Sequence, residues 1–204
     1  MHLRELSKIL AGEYRGPKAG FSQSDVLKSI VMIGESGRLG RMRLSTILDL
    51  GVGEIRTLIK RLKDGGLIRV GPGGCELTEL GEKNYVTVKR VVPWRSEVQA
   101  QSLGIGRHCW AFLIRGRSSR VKLGIEQRDA AIKAGASGVL TVVFSGGKFL
   151  IPVEGTNCES SKSSEPWITI RKSGPQDGDV VIVSGASDSQ AAENGGWSAA
   201  MTFL

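Results

Sequence analysis

The segment that most restricts this chain lies between two glycine turns, Gly51-Val52-Gly53 and Gly65-Gly66. From Glu54 to Asp64, Ile55, Leu58, Ile59 and Leu62 fall at the i, i+3, i+4, i+7 spacing of one helical face. Arg56, Lys60 and Lys63 repeat that spacing on another face, with Thr57 and Arg61 beside them and no acid interleaved before Asp64. A helix charged only for solubility more often alternates sign and gains i,i+4 pairs. The spacing therefore predicts a helix with a buried aliphatic row and a basic row turned outward. After it, Leu67 to Val70 reads as a strand, Gly71-Pro72-Gly73-Gly74 as a tight tip, and Cys75 to Leu77 as the returning strand of a hairpin.

The basic row is part of a wider imbalance. The formal charge is +8, and residues 1–95 hold 17 Lys+Arg against 10 Asp+Glu, while the remainder holds 11 against 10. A localised positive field points to a polyanion, whereas a surface charged for solubility mixes both signs throughout. Nothing in the first half reads as a basic helix with an aromatic, membrane-dipping face, so nucleic acid is favoured over a lipid surface. No stretch reaches the roughly 18 apolar residues of a membrane helix, and the opening MHLRELSKIL is unlike a secretory signal; a cytoplasmic protein is expected. Cys75, Cys109 and Cys158 are odd in number and far apart, which suggests buried thiols rather than a disulfide framework or a metal site.

Upstream of the basic helix, Phe21 to Ile33 has helical spacing, with Ser22 or Ser24 as its N-cap. Gly34 to Gly40 reads as a loop, Met42-Arg43-Leu44 as a short strand, and Ser45 as the cap of a second helix ending near Leu50. Downstream, Thr78 is placed to cap a fourth helix carrying Leu80, Tyr85 and Val86 toward the same core. The N-terminal stretch Leu3 to Tyr14, with Leu3, Leu6, Ile9 and Leu10 on one side, offers a dimer surface or packs on its own domain.

This order of elements, and the stretch "RLSTILDLGVGEIRTLIKRLKDGGLIRVGPGGCELTELG", resembles the winged helix-turn-helix family from Ser22 to about Val88. The resemblance implies that Glu54 to Lys63 is a recognition helix able to enter the major groove of DNA. On that footing Arg56 is the candidate for bidentate contact with guanine and Thr57 for a base methyl or a phosphate. Lys60, Arg61 and Lys63 are assigned to phosphates, and Arg41, Arg43, Ser45 and Arg69 extend the footprint. The glycine-rich tip has no side chain to read bases and is treated as positional.

Past Val91-Val92-Pro93-Trp94 the basic excess disappears, which sets domains at 1–92 and 98–204. Strands are predicted at Trp110 to Ile114, Val139 to Phe144, Phe149 to Val153 and Val180 to Ser184, with a helix from Ile125 to Ala134 closed by Gly135. Gly155 to Pro166 reads as a flexible loop, and a last helix is interrupted at Asn194-Gly195-Gly196. The fold class expected is α+β: a winged helix followed by a small α/β domain on a mixed sheet. His2 and His108 are the only histidines, and no HExxH, GxSxG, P-loop or dinucleotide fingerprint is present. No catalytic residue, metal site or cofactor is assigned, and an enzyme is not expected. A ligand pocket in this half is read from Arg128, Asp129, Ser187 and Asp188 as its polar end and Trp110 or Trp197 as an apolar wall.

Over nearly its whole length the chain resembles archaeal two-domain proteins in which a winged helix precedes a domain of unknown function, carried in the second half by "GIEQRDAAIKAGASGVLTVVF", "GKFLIPVEG" and "GDVVIVSGASD". That likeness implies a transcription regulator of archaeal source. The expected partners are double-stranded DNA, a second copy of the chain in a homodimer, and a small-molecule effector. The competing expectations are an enzyme domain docked by a winged helix, and a chromatin- or RNA-binding module without an effector.

Overall fold

A computed structural model describes residues 20–161 and 165–204, so His2 and the amphipathic stretch Leu3 to Tyr14 lie outside the described residues. The chain divides into two units, residues 1–89 and 90–204.

In the first unit, α1 (Gln23–Ser36) opens on a reciprocal cap, in which Asp25 N donates to Ser22 Oγ at 3.3 Å and Ser22 N to Asp25 Oδ2 at 2.7 Å. The helix continues through Gly34, where the sequence pattern predicts a loop, because the Tyr85 ring packs there: a Cβ on Gly34 would come within 2.6 Å of it. Met42-Arg43-Leu44 is not a strand. It lies in α2 (Arg41–Leu48), whose Leu44 and Leu48 are buried one turn apart. Extended pairing comes earlier, at Leu39, which bridges Cys75. Asp49, with φ 52°, ends α2 in the left-handed region, and α3 (Val52–Asp64) follows, burying Ile55, Leu58 and Leu62 of its predicted aliphatic row, while Ile59, at the edge of that row, is only half-buried.

Strands β1 (Ile68–Gly71) and β2 (Gly74–Leu77) pair from Ile68↔Leu77 to Gly71↔Gly74, leaving Pro72-Gly73 as the tip. Thr78 Oγ1 then accepts from Gly81 N at 3.1 Å to cap α4 (Glu79–Val91). In this helix Val88 and Val91 are buried, Leu80 and Tyr85 are half-buried, and Val86 is exposed rather than inward.

The second unit is built on a five-stranded sheet of order β3-β4-β7-β5-β6, from β3 (Trp94–Glu97), β4 (His108–Ile114), β5 (Gly138–Ser145), β6 (Lys148–Leu150) and β7 (Val180–Ala186). The α+β class is observed, but the sheet is not mixed: every pairing is antiparallel. β4 and β5, joined through α5 (Ile125–Lys133), do run in the same sense. β7 inserts between them, antiparallel to both, so no parallel neighbours remain. β3 occupies the stretch read from composition as the domain boundary.

On one sheet face Cys109, Ala111 and Leu113 pack with Val181, Val183, Phe144 and Phe149, covered by Trp167 and Ile170 of α7 (Glu165–Arg171). Together with α6 (Cys158–Ser161), α7 replaces part of the predicted flexible loop. The other face carries α5 and α8 (Ser189–Met201).

α8 is continuous through Gly195 and Gly196 because those glycines let it lie close on the sheet. A Cβ on Gly195 would come within 2.6 Å of Ala136 Cβ, and one on Gly196 within 2.1 Å of the Phe112 ring. Gly196→Ala is therefore expected to destabilise the second unit by about 1–3 kcal/mol, as an overpacked core does, despite alanine's better helix propensity. A denaturation midpoint at or above wild type would show that α8 can shift freely.

All three thiols are buried, and none is in a disulfide. Burial raises each above its ordinary pKa, and the Cys158 thiol is pushed up to about 11. The folded chain keeps that proton to higher pH than the unfolded one, so the stability linked to Cys158 is complete below pH 9 and lost as pH rises toward 11. At pH 8 the native chain is expected to resist iodoacetamide while the urea-unfolded chain reacts at all three sites, which mass spectrometry reads directly.

Candidate functional site

The start of α2, the outer side of α3 and the hairpin surround an open cleft of about 710 Å³, lined by residues 40–43, Arg56, Ile59 and residues 70–75. Its shape is set by a backbone clasp: Leu39 N donates to Cys75 O at 2.9 Å and Cys75 N to Leu39 O at 2.8 Å. Beneath it the Cys75 thiol is neutral and apolar, held so by burial.

Arg41, Arg43 and Arg56 converge on this cleft, and Lys60 and Lys63 extend the charge along α3. All five are exposed, and none forms an ion pair among the described residues. Four other cations of the unit are paired: Lys83 with Glu79 at 2.7 Å, Lys89 with Glu35 at 3.0 Å, and Arg38 and Arg69 with a shared Glu76. The two guanidiniums, Arg69 first, hold the Glu76 carboxyl below its ordinary range. The acid at the start of α3 is also turned away from the cleft role, since Glu54 Oε2 accepts from Gly51 N at 2.8 Å.

The first turn of α2 is more telling. It begins at Gly40 with no side-chain cap, and it contains Arg41 and Arg43 but no acid. Cations there oppose the positive end of the helix dipole, at a cost of about 0.3–1 kcal/mol each. An anion in the cleft would reverse the sign of that term.

Several sequence-predicted contacts are placed differently. Ser45 is neither an N-cap nor open to the cleft: it sits inside α2, and its Oγ donates to Leu50 O at 2.5 Å, closing the helix end. Thr57 is exposed on α3, but its hydroxyl donates to Gly53 O at 2.9 Å, which leaves the methyl as its available group. Arg61 is half-buried with its guanidinium 5.0 Å above the Phe21 ring, so it is not part of the open row. Arg69 is exposed but donates to Glu76 at 2.8 Å. Two cleft features were not anticipated. Met42, 67% exposed, was hidden by the strand assignment, whereas helical spacing from Leu44 and Leu48 turns it outward. Arg38 joins the hairpin through Glu76, a contact across the Leu39 clasp that no local pattern announces.

The predicted pocket of the second unit does not assemble as expected. Trp197 is fully buried, edge-on to Phe112 at 5.3 Å and beneath Arg95 at 5.1 Å, and so forms core rather than a pocket wall. Asp188 is spent as the cap of α8, accepting from Ala191 N at 2.8 Å, and exposed Ser187 lies 3.4 Å from it. Trp110 is half-buried, with its indole N–H donating to Ser189 Oγ at 2.9 Å. Arg128 and Asp129 stand exposed on α5. His108 faces Glu97 at 3.2 Å, while Cys109 points to the opposite, buried face.

Residues 105–203 match the family described as "Domain of unknown function (DUF4443)". This domain thus spans β4 through α8. The whole fold is similar to that of a solved hypothetical protein, PH0730, from Pyrococcus horikoshii OT3, with a TM-score of 0.73 over 90% of this chain and 92% of that one, at 24% identity. No curated protein matches the chain. The domain match falls within the second unit, and the structural neighbour shares the fold over most of both chains.

Arg43 occupies the third position of α2, where an acid is normally favoured. Arg43→Glu is expected to raise the stability of the unliganded protein by about 0.3–1 kcal/mol at low ionic strength, with the gain shrinking as salt is added. A urea titration of both proteins checks this, and a loss of stability would mean that Arg43 is already compensated within the chain.

Proposed function

We propose that the N-terminal unit is a winged helix-turn-helix that docks on duplex DNA, and that the chain is a DNA-binding transcription regulator rather than an enzyme. The observation that carries this reading is the set of five exposed cations without ion pairs among the described residues, on α3 and at the start of α2, while Arg38, Arg69, Lys83 and Lys89 of the same unit are paired. In this reading the cleft between the start of α2 and the hairpin takes a phosphate ridge, and exposed Arg56 and the Thr57 methyl on α3 are assigned to base edges.

Duplex is favoured over a single strand by the aromatic residues. Single strands are gripped by stacking. The Phe21 ring is covered by Arg61 and the Tyr85 ring lies against Gly34, so neither opens onto the cleft. The C-terminal unit, in this reading, senses a small molecule or mediates assembly, and a two-fold pair of chains sets two recognition helices about 34 Å apart on the duplex.

Binding of the full chain to a pool of random duplexes tests the reading, followed by titration of a selected sequence at several salt concentrations. With four phosphate-facing cations, Arg41, Arg43, Lys60 and Lys63, the affinity is expected to fall with a log–log slope of about −3 to −4. Arg56→Ala is expected to cost about 1–3 kcal/mol and to relax sequence preference at one position, whereas Lys63→Ala weakens all sequences alike and reduces the slope by about one. Absence of duplex binding at low salt, or a slope unchanged by removing these cations, would sink the proposal.

A further inference from the structure

One helix of the second unit presents a face that its own core does not use. Among the described residues nine large apolar side chains are exposed, and three of them, Leu123 at 63%, Ile125 at 53% and Ile132 at 44%, fall within the stretch 123–132. Single exposed apolar residues are ordinary, but a cluster rimmed by charge marks a contact surface. Ile125, Arg128, Asp129 and Ile132 of α5 follow i, i+3, i+4, i+7 and share one face, while Gln127 and Ala131 on the opposite side are buried. Arg128 and Asp129 are exposed, and neither makes a side-chain hydrogen bond or ion pair among the described residues.

The layout of this face selects its occupant. It has an isoleucine at each end and one charge of each sign in the middle, with exposed Glu126 and Lys133 beside it, so its net charge is zero. A polyanion finds nothing to hold there. A second copy does: a two-fold axis near the midpoint of Arg128 and Asp129 sets Ile125 beside the partner's Ile132 and brings Arg128 within reach of the partner's Asp129, twice over. We propose that the exposed face of α5 is an isologous contact between two copies of this chain.

A single helical stripe buries less than the roughly 1,200–2,000 Å² of a tight complex, so the dimer forms in the micromolar range rather than the nanomolar. The proposal does not rest on nucleic-acid binding, and its test contains no nucleic acid.

Sedimentation equilibrium of the full chain from about 5 to 500 μM reads the association directly. The mass is expected to rise with concentration toward twice 21.8 kDa. Arg128→Asp and Asp129→Arg each place like charges across the axis and are expected to weaken the dimer by about tenfold or more. The double variant, Arg128→Asp with Asp129→Arg, restores opposite charges and is expected to recover to within about threefold of wild type. Ile132→Ala removes apolar area without touching charge and is also expected to weaken it. Because all these positions are exposed, each variant should keep the wild-type circular dichroism and melting curve. A wild type that stays monomeric throughout, single reversals that dimerise as wild type does, or a double variant that fails to recover would overturn the assignment.

Discussion

Leu58 and Leu62 of α3 are fully enclosed, and Ile55 nearly so, with Leu44 and Leu48 of α2 and Leu67 of the chain entering the hairpin in the same core. Burying each such side chain is worth about 1.5–3 kcal/mol. Rotating α3 by even a third of a turn would bring aliphatic groups to water and turn Arg56 or Lys60 toward an aliphatic core, where burying a charge is costly. The orientation of the basic row thus follows from the burial of the aliphatic one. The Leu39–Cys75 clasp then fixes how near the hairpin stands to the start of α2, and so the width of the cleft.

The electrostatics of the cleft differ from those of the rest of its unit in a way that composition only hints at. The positive excess of the first half could have been spread over many solvated pairs. Instead Glu76, Glu79 and Glu35 are engaged with Arg38, Arg69, Lys83 and Lys89, while Arg56, Lys60 and Lys63 of α3 and Arg41 and Arg43 in the first turn of α2 are left to the solvent. The two arginines of that turn work against their own helix, an arrangement that stability alone does not favour.

What was legible in the sequence is what is encoded locally. The aliphatic period of α3, the glycine-bounded hairpin and the Ser22 cap each depend on residues a few positions apart, and each is found where the pattern predicts it. The misplaced features depend on distant partners. Met42-Arg43-Leu44 is too short to show a period, and only the enclosure of Leu44 with Leu48 makes it helical. Gly34, Gly195 and Gly196 look like breaks, yet each accommodates a neighbour far along the chain: Tyr85 for the first, and Ala136 and Phe112 for the pair. Trp197 depends on the same continuity: a helix broken at Gly195 gives no reason to bury it, whereas the continuous α8 carries it into the core. In the candidate site, Arg41, Arg43, Arg56, Lys60 and Lys63 were found from type and spacing, whereas the diversion of Ser45, Arg61 and Arg69 to internal partners is visible only in three dimensions.

The insertion of β7 between β4 and β5 has a consequence for how the chain is made. The strands at residues 108–114 and 138–145 have no hydrogen-bonding neighbour in common until residues 180–186 leave the ribosome. All of α1 through β2, by contrast, can gather its partners, Tyr85 and Lys89 included, from fewer than seventy consecutive residues. Long-range closure is slow relative to local assembly. During synthesis the first unit can therefore reach its native arrangement while the apolar faces of β4 and β5 still wait, which makes the late arrival of one fully buried strand the point at which the nascent protein is most exposed to aggregation.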